Sequence, residues 1–164
     1  MSALMIFDLA PIGAVISWSD GNPRPSEDRI HTLAGWKRDN AVGRLVRKRS
    51  RTVMAQSRIP ASFKVATDGI DDLGAIIGAD FRMFSVGSVL TFAVLERPQV
   101  GSIRILDGDA EDAELLHLAA DQAHAEIWVR SCGFSNTMLR EVTADEVAAD
   151  RIEGGWHEQA SQRP

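Results

Sequence analysis

Hydrophobic and polar residues alternate along residues 61–106, in short runs that turn-forming residues separate. Because successive side chains of a β-strand point to opposite faces, this alternation predicts strands. The strands predicted in this region cover residues 62–65, 75–86, 89–95 and 100–106. Their short connections predict that consecutive strands are antiparallel neighbours.

Apolar runs nearer the two ends of the chain predict further strands. Residues 3–9 and 13–19 are joined by residues 10–12, which include a proline, and this arrangement is typical of a hairpin. The same kind of pattern predicts strands at 114–119 and 138–142.

Helical spacing of apolar residues and capping signals predict three short helices, at residues 26–39, 121–130 and 143–150. Ser26 and Asp121 are the expected N-caps, and Gly133 is the expected C-cap of the second helix. Thr143 and Glu146 have the spacing of a capping box. The whole pattern predicts an α+β fold, with a mainly antiparallel β-sheet and two to three short helices.

Residues 44–53 fit two patterns. As a helix, their cations would form one basic stripe, because Arg44, Arg47, Lys48 and Arg51 follow helical spacing. As a strand, they would have polar residues on both faces, which requires an edge strand or a protruding hairpin. A glycine at 43 and β-branched residues favour the strand.

The chain has 164 residues, 45% hydrophobic and 25% charged, which is an ordinary globular composition. We expect one domain over residues 1–152, followed by a flexible tail at 153–164 that lacks periodicity. The single cysteine excludes an intramolecular disulfide and fits a reducing compartment. The first residues lack the basic stretch of a signal peptide, and no uncharged apolar run reaches the roughly 18 residues of a membrane span. The expected location is therefore the cytoplasm.

The charge distribution is uneven. The formal net charge is −5, but residues 37–58 (the basic segment) contain eight basic side chains and one acidic side chain. Residues 107–126 (the acidic segment) contain seven acidic side chains and no lysine or arginine. Local fields of this kind affect the choice of partner more than the total charge does.

Motifs of common enzymes and metal sites are absent from the sequence, including phosphate loops, nucleophile elbows and paired-cysteine zinc motifs. The acidic segment lacks the glycine and the final glutamate that an EF-hand loop needs. His117 and His124, near Asp121 and Glu114, are seven residues apart, so surface histidines are expected rather than metal ligands. Cys132 is expected to be a half-buried thiol and not a nucleophile, because a helix C-terminus raises a thiol pKa. The sequence predicts no cofactor, metal site or catalytic residue.

The basic segment carries the main functional hypothesis, since clustered cations bind phosphate backbones through counterion release. Trp36 could add a stacking surface for a base. The predicted nucleic-acid-binding residues are Arg44, Arg47, Lys48, Arg49, Arg51, Lys37, Arg38 and Trp36. Two different roles stay open for the arginines: they could protect an edge strand from aggregation, or they could pair with the acidic segment within the chain or across an oligomer contact.

Residues 6–18 and 142–150 resemble small uncharacterised accessory proteins encoded on bacterial plasmids and integrating elements. The resemblance extends over most of the chain and carries no activity or site assignment. It implies a cytoplasmic accessory protein of a mobile genetic element.

The first functional hypothesis is therefore a non-enzymatic binding module that contacts nucleic acid with low sequence specificity. The alternative is a protein-interaction or inhibitor module, such as an anti-defence protein, that uses the acidic segment. Its predicted partner-binding residues are Asp107, Asp109, Glu111, Asp112 and Glu114. A third alternative is an enzyme with an unrecognised site. No membrane partner is expected, and the oligomeric state stays open, a homodimer included.

Overall fold

Helices and antiparallel strands both contribute to the fold, as the sequence predicts. The computed structural model describes residues 1–54, 57–67 and 80–148; the predicted tail at 153–164 lies outside them. The helices within these ranges are α1 (Ala3–Leu9), α2 (Ile30–Asp39) and α3 (Gln122–Cys132), with a further helical turn at 144–148. The strands are β1 (Val15–Ser19), β2 (Ala41–Arg49), β3 (Thr52–Met54), β4 (Ser57–Ile59), β5 (Ser62–Ala66), β6 (Phe81–Ser85), β7 (Thr91–Glu96), β8 (Ile103–Asp107), β9 (Glu114–Ala119) and β10 (Thr137–Glu141).

The larger sheet has five antiparallel strands in the order β6-β5-β2-β1-β7. Its core contains a cluster of four aromatic side chains. The ring centroids of Trp18 and Phe84 lie 5.1 Å apart, and Phe92 lies 5.2 Å from Phe84 and 5.6 Å from Phe63. All four are buried, so this cluster holds strands β1, β5, β6 and β7 together.

The first apolar run is a helix, so the predicted hairpin of residues 3–9 with 13–19 is wrong. Ser2 caps α1, because its hydroxyl accepts a hydrogen bond from the amide of Met5. Ala3, Ile6 and Ala10 are fully buried at helical spacing and pack on the core of the larger sheet. A cap and this spacing were both visible in the sequence, and they outweigh the apolar run that suggested a strand.

The ambiguous residues 44–53 begin within strand β2, which lies between β1 and β5. Of the two predicted alternatives, an edge strand or a protruding hairpin, β2 is therefore not the edge strand. A β-bulge between Leu45 and Arg47 shifts the alternation of β2, so that Arg47 lies with Lys64 on the face opposite to Leu45 and Val65. Leu45 packs in the core of the larger sheet, while the adjacent Val46 packs against residues of β8 and β9. The second sheet therefore covers the outer side of β2, and carboxylates of β9 and of the loop before it face Arg47 and Arg49.

The second sheet has three antiparallel strands in the order β10-β8-β9, with α3 packed on β8 and β9. Its core is formed by Ile103, Ile105, Ala119 and Ala125. Not every pair of consecutive strands is adjacent, which corrects one prediction. β5 and β6 are neighbours, but β7 pairs with β1, and β8 begins the second sheet.

Capping signals are confirmed for two of the predicted helices. The carboxylate of Asp121 accepts from the amide of His124 at 2.9 Å, and Gly133 ends α3 with a φ of 71°. Glu146 accepts from the amide of Thr143 at 3.0 Å, as a capping box requires. The first predicted helix begins at Ile30 instead of residue 26, because residues 26–29 form a separate turn. Residues 75–79 of a predicted strand lie outside the described ranges.

Candidate functional site

The hairpin formed by β2 and β5 continues beyond the larger sheet. Arg49 pairs with Ser62 at the end of that ladder, and Thr52 pairs with Ile59 in the short β3–β4 ladder. Both sides advance by the same number of residues between these pairs, so the register continues without a slip. We call β3 and β4, with the residue Arg51 that leads into β3, the hairpin arm.

Two arginines of the hairpin arm are available to a partner. Arg51 and Arg58 are exposed, and neither makes an ion pair or hydrogen bond within the described part of the chain. Arg58 pairs with Val53 across the ladder, and Arg51 lies two residues before Val53. Because side chains alternate along a strand, Arg51 and Arg58 share one face of the arm. Arg58 was not among the predicted site residues, because only the register of the hairpin brings it near Arg51.

The basic and acidic segments pair with each other within the chain. A guanidinium nitrogen of Arg47 donates to Asp112 Oδ2 at 2.7 Å, and Arg49 Nε lies 3.5 Å from the same oxygen. Lys64 Nζ on β5 lies 2.7 Å from Glu114 Oε1 on β9. The hydrogen bond from Arg47 is the main cause that holds the pKa of Asp112 below its usual range. Two of the predicted phosphate contacts are therefore already partly neutralised.

Lys48 points to the opposite side of β2 from these ion pairs. Its Nζ lies 5.7 Å from the centroid of the Phe7 ring, at a cavity of about 450 Å³ between α1, β2 and the loop before β9. Burial lowers the pKa of Lys48 to about 8, and the nearby carboxylate of Asp8 opposes this shift only in part. Because side chains alternate along a strand, Lys48 lies on the other face of β2 from Arg47 and Arg49.

The predicted residues of α2 lie at the other end of β2. Lys37 and Arg38 are exposed, and they line a cleft with Arg82. The indole nitrogen of Trp36 donates to the carbonyl of Asn22 at 2.8 Å, so this ring is held against a loop. Because β2 has nine residues, about 30 Å of strand separates α2 from the hairpin arm. The predicted nucleic-acid-binding residues therefore do not form one patch.

The predicted partner-binding carboxylates of the acidic segment also fall into separate groups. Asp107, Asp109 and Glu111 are exposed, and their side chains make no ion pair within residues 1–54, 57–67 and 80–148. Asp112 and Glu114 are half-buried and are engaged with the cations of β2 and β5. Only the first three carboxylates remain available to a partner.

Arg44 is turned away from the hairpin arm and lines a cleft of about 570 Å³ between β2, β9, α3 and the loop after β7. Its Nη1 donates to the carbonyl of Gly13 at 2.7 Å. Burial is the main cause that lowers the pKa of Arg44, and the charge of Glu96 opposes the shift. His117 and Trp128 also line the cleft, with their rings stacked at 4.9 Å.

The histidines and the cysteine form no metal site within the described residues. His117 is 4% exposed, so the expectation of two surface histidines is wrong for this one. It is buried because it lies on the face of β9 that α3 covers, where its ring stacks on Trp128. His124 is exposed and lies 2.8 Å from Asp121. Cys132 is half-buried before the Gly133 cap, as predicted.

None of the described helices is long and apolar enough to cross a bilayer. Searches of curated proteins and of solved structures found no match to the chain. The family model described as "Uncharacterised conserved protein UCP036055" matches residues 1–146. The match covers both sheets and α1 to α3. The chain therefore belongs to this family of uncharacterised conserved proteins.

Proposed function

We propose that this chain is a non-enzymatic binding module that contacts nucleic acid through its hairpin arm. The observation that supports the proposal is the pair of exposed arginines, Arg51 and Arg58, on a two-stranded extension of the larger sheet. Arg49 lies at the base of the arm with a side chain that is 47% exposed. These three guanidinium groups form the basic surface that we assign to phosphate contacts.

Arginine suits this role because its planar group donates two parallel hydrogen bonds to a phosphate. Contacts to phosphate fix the position of a nucleic acid and carry no base identity. We therefore expect low sequence specificity. The pairing of Arg47 with Asp112 removes one cation from the surface, so binding should be weaker than the sequence of the basic segment suggests.

Counterion release sets how steeply the affinity for nucleic acid depends on salt. If Arg49, Arg51 and Arg58 each neutralise one phosphate of a duplex, the slope of log affinity against log salt is about −2.7. Affinity then falls roughly 40-fold when salt rises from about 50 to about 200 mM. A single strand should give a slope nearer to −2.1, since each contact releases fewer counterions there.

The test is fluorescence anisotropy with a labelled duplex and its single strand across this range of salt. The double variant Arg51→Ala with Arg58→Ala should flatten the duplex slope by about 1.8 and weaken all sequences alike. Arg140→Ala is the control for each single variant, Arg51→Ala and Arg58→Ala, because it removes one positive charge from an exposed residue on β10, at the opposite edge of the second sheet from β9. Equal effects of Arg140→Ala and of the single variants, or no binding by the parent protein at low salt, would refute the proposal.

The setting we propose is that of a cytoplasmic accessory protein of a mobile genetic element, which follows from the resemblance of residues 6–18 and 142–150. Residues 6–18 form part of α1 and β1, and their contacts are structural. The assignment to a mobile genetic element therefore rests on sequence resemblance alone, whereas nucleic-acid binding is supported by the exposed arginines of the hairpin arm.

A second candidate function is a protein-interaction or anti-defence inhibitor module, and the exposed carboxylates of Asp107, Asp109 and Glu111 favour it. Carboxylates at this spacing offer an acidic surface to a basic partner. Capture of a partner from host lysate, with and without nuclease, separates the two functions. Loss of capture in Asp109→Asn with Glu111→Gln, together with retention in the arginine double variant, would favour the inhibitor.

A further inference from the structure

The cleft between the two sheets is large enough for a small ligand. Its volume of about 570 Å³ lies within the range of small-molecule sites, roughly 300–1,000 Å³. Its wall combines the aromatic rings of His117 and Trp128 with the aliphatic side chain of Ile127 on α3. The side chains of Gln99 and Ser131 add neutral polar groups. This mixture of a mostly apolar wall and a few polar groups is characteristic of ligand sites.

Arg44 gives the cleft an incompletely compensated positive charge. Its Nε is buried and has no hydrogen-bond partner among the described residues. No carboxylate of those residues lies within the 4.0 Å of an ion pair with Arg44, although Glu96 lines the same cleft. The half-buried guanidinium group of Arg44 is poorly solvated and carries a full positive charge, and an anion in the cleft beside it compensates that charge.

We propose that this cleft binds a small aromatic carboxylate, with Arg44 as the contact to the anion and the wall of His117, Trp128 and Ile127 around the ring. The guanidinium group matches a carboxylate in shape and charge. A single negative charge is favoured, because one cation cannot balance a phosphate dianion beside the carboxylate of Glu96. This site is independent of the hairpin arm and of nucleic-acid binding.

The probe for the test is 2-naphthoate, with 2-naphthamide as its neutral counterpart and phenyl phosphate as the dianion. Binding to the full chain is measured by isothermal titration calorimetry. Saturable binding of 2-naphthoate is expected with a Kd of about 1 mM or tighter, from the usual affinity per ligand atom. Phenyl phosphate is expected to bind at least tenfold more weakly, because a dianion is not balanced there.

Arg44→Met is expected to weaken 2-naphthoate by about tenfold or more, since it removes a charge-assisted hydrogen bond. It should leave 2-naphthamide within about twofold, because the apolar wall is intact. Arg140→Met is the matched control, with the same chemical change outside the cleft, and should alter neither affinity. Far-UV circular dichroism verifies that Arg44→Met keeps its fold after the Gly13 carbonyl loses its partner.

A second variant keeps the proposal testable whether or not Arg44→Met folds. Ile127 is 63% exposed on α3, so Ile127→Trp fills the cleft without entering the core, and it should abolish binding of both naphthalene probes. The proposal is overturned if 2-naphthoate and 2-naphthamide bind with equal affinity. It is also overturned if Ile127→Trp retains the affinity of the parent protein, or if a folded Arg44→Met does.

Discussion

Replacing Asp112 with asparagine should strengthen nucleic-acid binding more than the loss of one negative charge explains. Asp112 accepts a hydrogen bond from Arg47 at 2.7 Å and lies 3.5 Å from Arg49 Nε. Asparagine keeps the size of the side chain but removes the charge nearest to both guanidinium groups. Glu114 stays 3.9 Å from Arg47, but Lys64 contacts this carboxylate more closely, at 2.7 Å. Asp112→Asn therefore makes one more cation available beside the hairpin arm.

The magnitude follows from counterion release. One additional phosphate contact makes the salt slope of duplex binding steeper by about 0.9, from about −2.7 to about −3.6. If the affinities of variant and parent converge at about 1 M salt, the gain is roughly 15-fold at about 50 mM and roughly fourfold at about 200 mM. The gain must therefore shrink as salt rises. Partly exposed ion pairs contribute little to stability, so the variant should remain folded.

The matched control is Asp109→Asn. Asp109 lies three residues away in the same loop, so the net charge changes by the same amount, but its side chain makes no ion pair within the described residues. Anisotropy titrations with one labelled duplex over a range of salt measure both slopes. A long-range field would change both variants alike, whereas release of Arg47 changes only Asp112→Asn.

Equal slopes for the two variants would refute this reasoning, because they would show that Arg47 does not reach phosphate when Asp112 is neutral. A steeper slope for Asp109→Asn alone would be equally damaging, since no described cation depends on Asp109. Thermal unfolding of both variants establishes that the comparison is made between folded proteins.

Two further predictions concern the scaffold. A β-carbon at Gly43 would lie closer than 3.0 Å to the backbone of the neighbouring strand β5. Gly43→Ala should therefore lower the Tm by about 10 °C or more. Gly35→Ala, in open space on α2, should leave the Tm unchanged or raise it by about a degree or two. Burial favours the neutral form of Glu146, but hydrogen bonds from the buried Arg104 and from the capping-box amide outweigh it and lower the pKa of this carboxyl below 4.5. Because the folded-state pKa lies below the unfolded one, this contribution to stability is complete above about pH 4.5 and is lost as the pH falls through the folded pKa. Glu146→Gln should therefore lose stability at neutral pH and show a weaker acid dependence, which urea unfolding at several pH values measures; an unchanged acid dependence would contradict it.

Local signals in the sequence determined several elements without help from the rest of the chain. Asp121 and Gly133 cap α3 at its two ends as predicted, because each acts on backbone groups within one turn. The strand predicted at 114–119 has the same bounds as β9, Glu114–Ala119. The α+β class follows from the same signals, since the two periodicities are visible in short windows.

Local signals did not determine how the charged residues pair with each other. The sequence revealed a basic segment and an acidic segment, and it left open whether they pair within the chain or meet separate partners. The answer depended on β2 and β9 lying against each other, which brings Asp112 to Arg47 across 65 residues of sequence. Alternation tells which residues share a face, but it does not tell which element covers that face.

Tertiary structure also decided the position of β2 and the use of its arginines. From its charges, this segment was expected to be an edge strand or a protruding hairpin, but β2 lies inside the larger sheet. Its bulge shifts the alternation, so that Arg47 lies on the face opposite to Leu45. The same strand sends Arg44 to the cleft and Lys48 toward α1, while Arg51 continues into the hairpin arm. The basic segment therefore lies in three environments, because side chains that are adjacent in sequence point to different faces. Whether a face meets carboxylates, the wall of a cleft or solvent depends on the elements that pack against it.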